Sequence, residues 1–310
     1  MARFQIHILG CGSALPNLKH NTSSQLVEIH DKIFMVDCGE GTQLQLRKSK
    51  VHFAKINGIF ITHMHGDHCF GLMGLISTFG LLGRTAPLHI YAPKEMEELF
   101  MLQQKLFCST FEYELVFHPV ETTENKIIYE DKSLTVSTLP LQHRLPCCGF
   151  LFKEKPRLPH INKEMVDYYG VPQSQYNNIK GGADWKTKEG IIVPNNKLTI
   201  PADQPLSYAY CSDTRYIPTL HKLIIGVSAL YHESTYTEVD KKQAIKYFHS
   251  TARQAASVAK DAQAGMLILG HYSSKYADEN VVLDEAKTVF DNTYLSNEID
   301  VFDVEKQKKL

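Results

Sequence analysis

The sequence has no surplus of charge, no paired-cysteine motif and no long apolar run. Its 33 basic and 34 acidic residues leave a net charge of -1, so bulk charge gives no sign of a nucleic-acid binder and, taken alone, argues against one. Seven cysteines, at 11, 38, 69, 108, 147, 148 and 211, include no Cys-x-x-Cys spacing and are odd in number. That excludes a disulfide framework and a cysteine-based zinc finger and reads as reduced thiols in a cytoplasmic protein. The longest apolar stretch, residues 72–83, is too short and too broken by glycine to cross a bilayer. At the start, Arg3, Gln5 and His7 alternate with Phe4, Ile6 and Ile8, the period of a half-buried strand rather than of an export signal. With 18 glycines and 13 prolines, collagen-like and low-complexity classes are excluded as well. A cytoplasmic protein with no membrane partner is expected.

What is present is an α/β pattern. Short β-rich runs at 3–9, 24–29, 32–37, 56–62, 88–92, 113–117 and 127–140 alternate with helical periodicity at 42–50, 94–107, 250–264 and 281–293, and further strands are expected at 206–212, 228–232, 265–270 and 300–304. Sheets packed on one another with helices outside are the natural arrangement. Residues 153–200 break the pattern with scattered Pro, Gly and Asn and carry eight basic against five acidic residues. An insertion this long is either a solvated loop or a functional one.

The chemistry concentrates after the strand Ile59-Phe60-Ile61-Thr62, where His63-Met64-His65-Gly66-Asp67-His68 places four ligand-type side chains within six residues. Unpaired, such groups at a buried strand end carry a heavy desolvation cost, and a divalent metal removes it. Imidazole and carboxylate without thiolate suit zinc, and more donors than one ion accepts favour two ions. Distant ligands are expected at other strand ends. His143 follows Leu139-Pro140-Leu141-Gln142, Asp213 follows Tyr208-Ala209-Tyr210-Cys211-Ser212, and His271 follows Met266-Leu267-Ile268-Leu269-Gly270.

These residues resemble the metallo-β-lactamase superfamily, whose first motif is matched by Asp37-Cys38-Gly39-Glu40-Gly41-Thr42, with Asp37 as a support for the metal loop. Within it, the chain resembles the ribonuclease Z family of tRNA 3′-processing endonucleases through Gly10–Ser24, Ser212–Tyr216, His232–Thr235, His249–Ala252 and Gly270–Tyr276. The resemblance implies a four-layer αββα sandwich over residues 1–310, with 153–200 as an inserted protruding arm that holds tRNA. It places His63, His65 and His143 on one zinc, Asp67, His68 and His271 on a second, and Asp213 between them. It assigns catalytic work to Asp67, and to His249 oriented by Glu233, on a precursor tRNA, leaving a 3′-hydroxyl on the tRNA and a 5′-phosphate on the trailer. A homodimer is implied too, with residues 72–83 as a candidate interface or a buried helix. The chain departs from the family pattern at Val171–Gln175, which stands where a Gly-Pro-rich tip is usual. It departs again at Lys19, three residues after Pro16, and at Lys275, where Arg is common. The metal motif alone also permits a small-molecule hydrolase of the same fold: a phosphodiesterase, a lactonase or an arylsulfatase-like enzyme.

Overall fold

The computed structural model describes residues 4–15, 17–52, 55–107 and 111–310; Pro16 and Cys108 lie outside them. Two sheets carry the fold. The first runs, in spatial order, through Lys308–Lys309, Val301–Asp303, Phe4–Gly10, Ser24–Ile29, Lys32–Cys38, Ile56–Phe60, Leu88–Ala92 and Leu115–Pro119. The second runs through Thr293–Leu295, Met266–Gly270, Ala229–Glu233, Ser207–Cys211, Cys148–Glu154, Leu134–Pro140 and Ile127–Glu130.

Strand periodicity divides the side chains between two cores. Along Lys32–Cys38, Phe34 and Val36 join Phe60, Phe150, Phe152 and Tyr208 in the core between the sheets, while Ile33 and Met35 face Leu46, Leu75, Phe79 and Phe100 of the helices on the other side. Because both faces are covered, these strands read as nearly continuous apolar runs. Ala252–Asp261 packs its alanines 252, 255, 256 and 259 on the second sheet, completing the helix–sheet–sheet–helix order. Its start is a capping box: Thr251 accepts from the Gln254 backbone, and the Gln254 side chain accepts from that of Thr251, satisfying two N-terminal donors.

Several expectations are redrawn. The 113–117 run forms its strand two residues later, and 127–140 is a hairpin around Asp131. Leu72–Leu81 is a helix whose Leu72, Leu75, Ile76 and Phe79 are buried in its own chain, leaving Leu81 exposed. The six described cysteines are buried and unpaired.

Glu154–Pro205 is a compact unit of its own. Its helices and two-residue strand pairs enclose Val166, Val171, Ile179, Val193 and Leu198, with Asn162 capping Lys163–Tyr168. Burial of Val171 ties down one end of 171–175, whereas the turn 187–190 is largely exposed. With Lys153 outside and Asp203 inside, the unit holds seven basic against six acidic residues, so the surplus read over 153–200 nearly vanishes.

The strands that end at the expected ligands are mutually aligned. Ser207–Cys211, Ala229–Glu233 and Met266–Gly270 run parallel, and Ile56–Phe60 runs parallel to both its neighbours. Their carboxyl ends form one rim, the usual place for a site in parallel sheets.

Candidate metal centre

At that rim the backbone is bent to aim side chains. Asp37, Asp213, His271 and Phe248 take left-handed φ angles of 57°, 59°, 58° and 61°, a conformation that costs a non-glycine residue energy and persists where its surroundings impose it. Gly66, whose freedom from a side chain suggests a sharp backbone turn in the His-rich loop, does not make one. It opens the short helix Gly66–Cys69, and a Cβ there would come within 2.3 Å of the Phe70 ring. Gly39 lets the loop pack closely, since a Cβ there would lie 2.4 Å from the Asp67 carbonyl oxygen.

The seven expected ligands come together as two groups that share one carboxylate, His63, His65, His143 and Asp213 on one side and Asp67, His68, Asp213 and His271 on the other. In the first, His65 Nδ1 lies 2.9 Å from His63 Nε2 and 3.2 Å from His143 Nε2, and Asp213 Oδ2 stands 3.7 and 3.6 Å from the latter two nitrogens. In the second, Asp213 Oδ1 is 3.1 Å from His68 Nε2 and 3.0 Å from His271 Nε2, with Asp67 Oδ2 at 3.4 and 3.6 Å. Nitrogens bound to one tetrahedral zinc stand about 3.3 Å apart, so this crowding is the spacing of ligands around an ion. The far side of four of the five rings is anchored. His63 Nδ1 meets Thr62 Oγ1 at 2.9 Å, His68 Nδ1 meets Asp37 at 2.7 Å, His143 Nδ1 meets the Phe248 carbonyl at 3.2 Å and His271 Nδ1 meets Thr235 Oγ1 at 2.9 Å. The Nε2 atoms of His68 and His271 are buried without a hydrogen bond. Anchored outer nitrogens and orphaned inner ones fit a divalent metal, and the all-His/Asp donor set fits zinc.

Electrostatics agree. Burial, reinforced by the neighbouring His68, holds His63 well below the ordinary imidazole range, and burial lowers His65 and His143 too. Burial also opposes charge on His271, but Asp213 overrides it and pushes His271 up to about 10. Asp213, despite its burial, is held well below the carboxylate range by His271 and His68.

Beside the metal groups, His249 Nδ1 lies 2.9 Å from Glu233 Oε1. Glu233 is fully buried and also accepts from the Thr214 and Ser250 backbones at 2.6 and 3.1 Å and from Thr235 Oγ1 at 2.6 Å. The pair is therefore rigid. Among the described residues nothing hydrogen-bonds His249 Nε2, and the ring lines, with His65, Asp67, His143, Asp213 and His271, a cleft of about 680 Å³. Thr235 joins Glu233 to His271, a role not read from the sequence although it closes the His232–Thr235 motif. Thr62 and Tyr210, both on Asp37, were likewise unassigned. Lys275 is 2.5 Å from Asp240, so its ammonium is engaged within the chain, and Lys19 pairs with Glu279.

Solved structures share this arrangement of chain. Human tRNase Z, short form, superposes with a TM-score of 0.71 at 24% identity, covering 97% of this chain and 99% of its own. The metallo-beta-lactamase fold protein YhfI from Bacillus subtilis superposes with a TM-score of 0.68 at 18% identity, covering 97% and 99%. A family model described as Anti-Pycsar protein Apyc1 matches residues 4–159, the part that carries six of the first sheet's eight strands and the His-rich loop. Fold and donor set together define a metallo-β-lactamase-fold protein with clustered His and Asp side chains able to hold metal. Ribonuclease Z of Bacteroides fragilis is 53% identical over 298 residues, 96% of this chain and 98% of its own, and that of Porphyromonas gingivalis is 47% identical over the same shares. The chain belongs to the ribonuclease Z family, which matches it nearly end to end where the Apyc1 model matches its first half.

Proposed function

We propose that this chain is the endoribonuclease that removes the 3′ trailer from precursor tRNA, leaving a 3′-hydroxyl on the tRNA and a 5′-phosphate on the trailer. The observation that carries the reading is the joining, in one cleft, of two His/Asp groups that share Asp213 with a neighbouring His249–Glu233 pair, in a chain that aligns with ribonuclease Z over 96% of its length. His63, His65 and His143 would hold one zinc ion and Asp67, His68 and His271 the other, with Asp213 common to both groups. When bound, such ions acidify water and stabilise charge on phosphoryl oxygens.

The chain's own groups do the rest. Asp67, a carboxylate among the metal-ligand groups, orients the attacking water and accepts its proton. Glu233 fixes the His249 ring through Nδ1, which directs Nε2 at the cleft to protonate or stabilise the departing 3′ oxygen. Glu154–Pro205 serves as the arm that grips tRNA away from the cut, the enzyme works as a homodimer, and it acts in the cytoplasm.

A small-molecule hydrolase on the same fold is the rival, and the arm separates the two. Deleting residues 160–190 is expected to abolish cleavage of precursor tRNA while sparing bis(p-nitrophenyl) phosphate. Equal loss on both substrates contradicts a tRNA-gripping arm.

A further inference from the structure

A second cavity of about 870 Å³ adjoins the metal cleft and shares His143 and Arg144 with it. Its lining includes Arg144, Arg215 and Lys222 and no aspartate or glutamate. All three cations are exposed, and among the described residues none has a carboxylate within ion-pairing distance. In a protein of net charge -1, three unneutralised cations on one acid-free wall are a local field with no structural work to do. The rest of the wall mixes uncharged polar residues, Thr122, Gln142 and Thr219 among them, with apolar ones such as Leu145, Ile217 and Leu223, and Phe248 carries the Arg215 guanidinium 5.8 Å from its ring centre.

The groove is coupled to the cleft rather than merely near it. Phe248 offers its carbonyl to the ligand His143 and directly precedes His249, while the Arg215 backbone N–H donates to Gln142 at 2.9 Å, tying the segment after Asp213 to the segment before His143. A strand that places a phosphodiester in the metal cleft therefore has, on one side, a groove walled by cations, by apolar side chains and by the Phe248 ring. That combination binds single-stranded nucleic acid without reading its sequence, through charge along the backbone and stacking of the bases.

We infer that this groove, through Arg144, Arg215 and Lys222, binds the phosphodiester backbone of the RNA strand immediately flanking the scissile bond. The inference rests on the ribonuclease reading above. The flanking strand is either the trailer or the acceptor end, and the substrates of the test tell them apart.

The test uses R215A/K222A, whose two positions lie outside the lining of the metal cleft, and the charge-keeping R215K/K222R. Precursor tRNAs with a long and with a single-nucleotide trailer are compared with bis(p-nitrophenyl) phosphate, and binding of a single-stranded oligoribonucleotide is followed by fluorescence anisotropy across a salt series. R215A/K222A is expected to raise KM for the affected precursor about tenfold and to flatten the slope of log affinity against log salt by about 1.4, since each single-strand phosphate contact contributes about 0.7. R215K/K222R is expected to retain the slope. A loss confined to the long trailer assigns the groove to the trailer, and an equal loss on both precursors assigns it to the acceptor end. Unchanged KM, salt slope and oligonucleotide binding overturn the inference. If the wild-type chain hydrolyses the small phosphodiester and cuts neither precursor, the ribonuclease reading fails, and the anisotropy slope still judges the groove.

Discussion

Asp37 Oδ2 stands 2.7 Å from His68 Nδ1, with both side chains fully buried. The same carboxylate accepts from the Thr62 backbone and hydroxyl and from Tyr210, so one residue of the first sheet pins the end of the metal strand, orients a ligand ring and reaches across to the second sheet. Asp37→Ala leaves His68 free to rotate, and loss of such an outer partner typically costs ten- to a hundredfold in metal affinity. Competition with a chromogenic chelator should show about that weakening; unaltered affinity would remove Asp37 from the centre.

His249 is held outside the metal-ligand sets by Glu233. His249→Ala should therefore lower kcat on precursor tRNA by about 10²–10⁴, the usual worth of general acid–base help, with metal content preserved by elemental analysis. Near-normal turnover would take His249 out of the mechanism. Glu233→Gln should also lower kcat, and it should destabilise the fold by about 1–3 kcal/mol, because buried donors from Thr214, Ser250 and Thr235 lose an ionised acceptor.

Removing the metals leaves seven ligand side chains crowded at one rim. Dialysis against a chelator should abolish activity and lower the thermal midpoint, and adding back zinc should restore both, since whatever binds the folded state alone stabilises it. Elemental analysis should find two ions per chain. A protein active after complete removal would contradict the metal reading.

Away from the metals, His20 sits between Glu298, 3.0 Å from Nδ1, and Glu279, 3.2 Å from Nε2. Burial works to lower its pKa, but the hydrogen bond and charge of Glu298, then Glu279, leave it raised. A raised folded-state pKa contributes stability that is fully present below the unfolded value near ~6.5 and is lost as pH rises through the folded value. Wild type should exceed His20→Gln in thermal midpoint at pH 6 by more than at pH 9. A gap independent of pH would mean that His20 acts through packing alone.

The clustering of candidate donors was legible because its chemistry is local: four donors in six residues, then one donor at the end of each of three apolar strands. Coupling between strand ends was not. Thr235 carries no charge, and only the structure shows it joining Glu233 to His271; Tyr210 reads as one more apolar strand residue until its hydroxyl is seen on Asp37. Leu72–Leu81 was ambiguous because an apolar helix looks the same whether its face is covered by its own chain or by another. Glu154–Pro205 hid its small core because elements of two to six residues are too short to establish a period. The charge balance concealed the groove at Arg215 and Lys222, since an average over 310 residues says nothing about where unpaired cations gather.

Incubation of the zinc-loaded chain with a 3′-extended precursor tRNA, with the cut and both new ends mapped, bears most directly on the whole account. A single cut at the acceptor end, leaving a 3′-hydroxyl on the tRNA and a 5′-phosphate on the trailer, is the predicted result. An intact precursor in the presence of enzyme that hydrolyses bis(p-nitrophenyl) phosphate, or a 2′,3′-cyclic phosphate at the tRNA end, would contradict it.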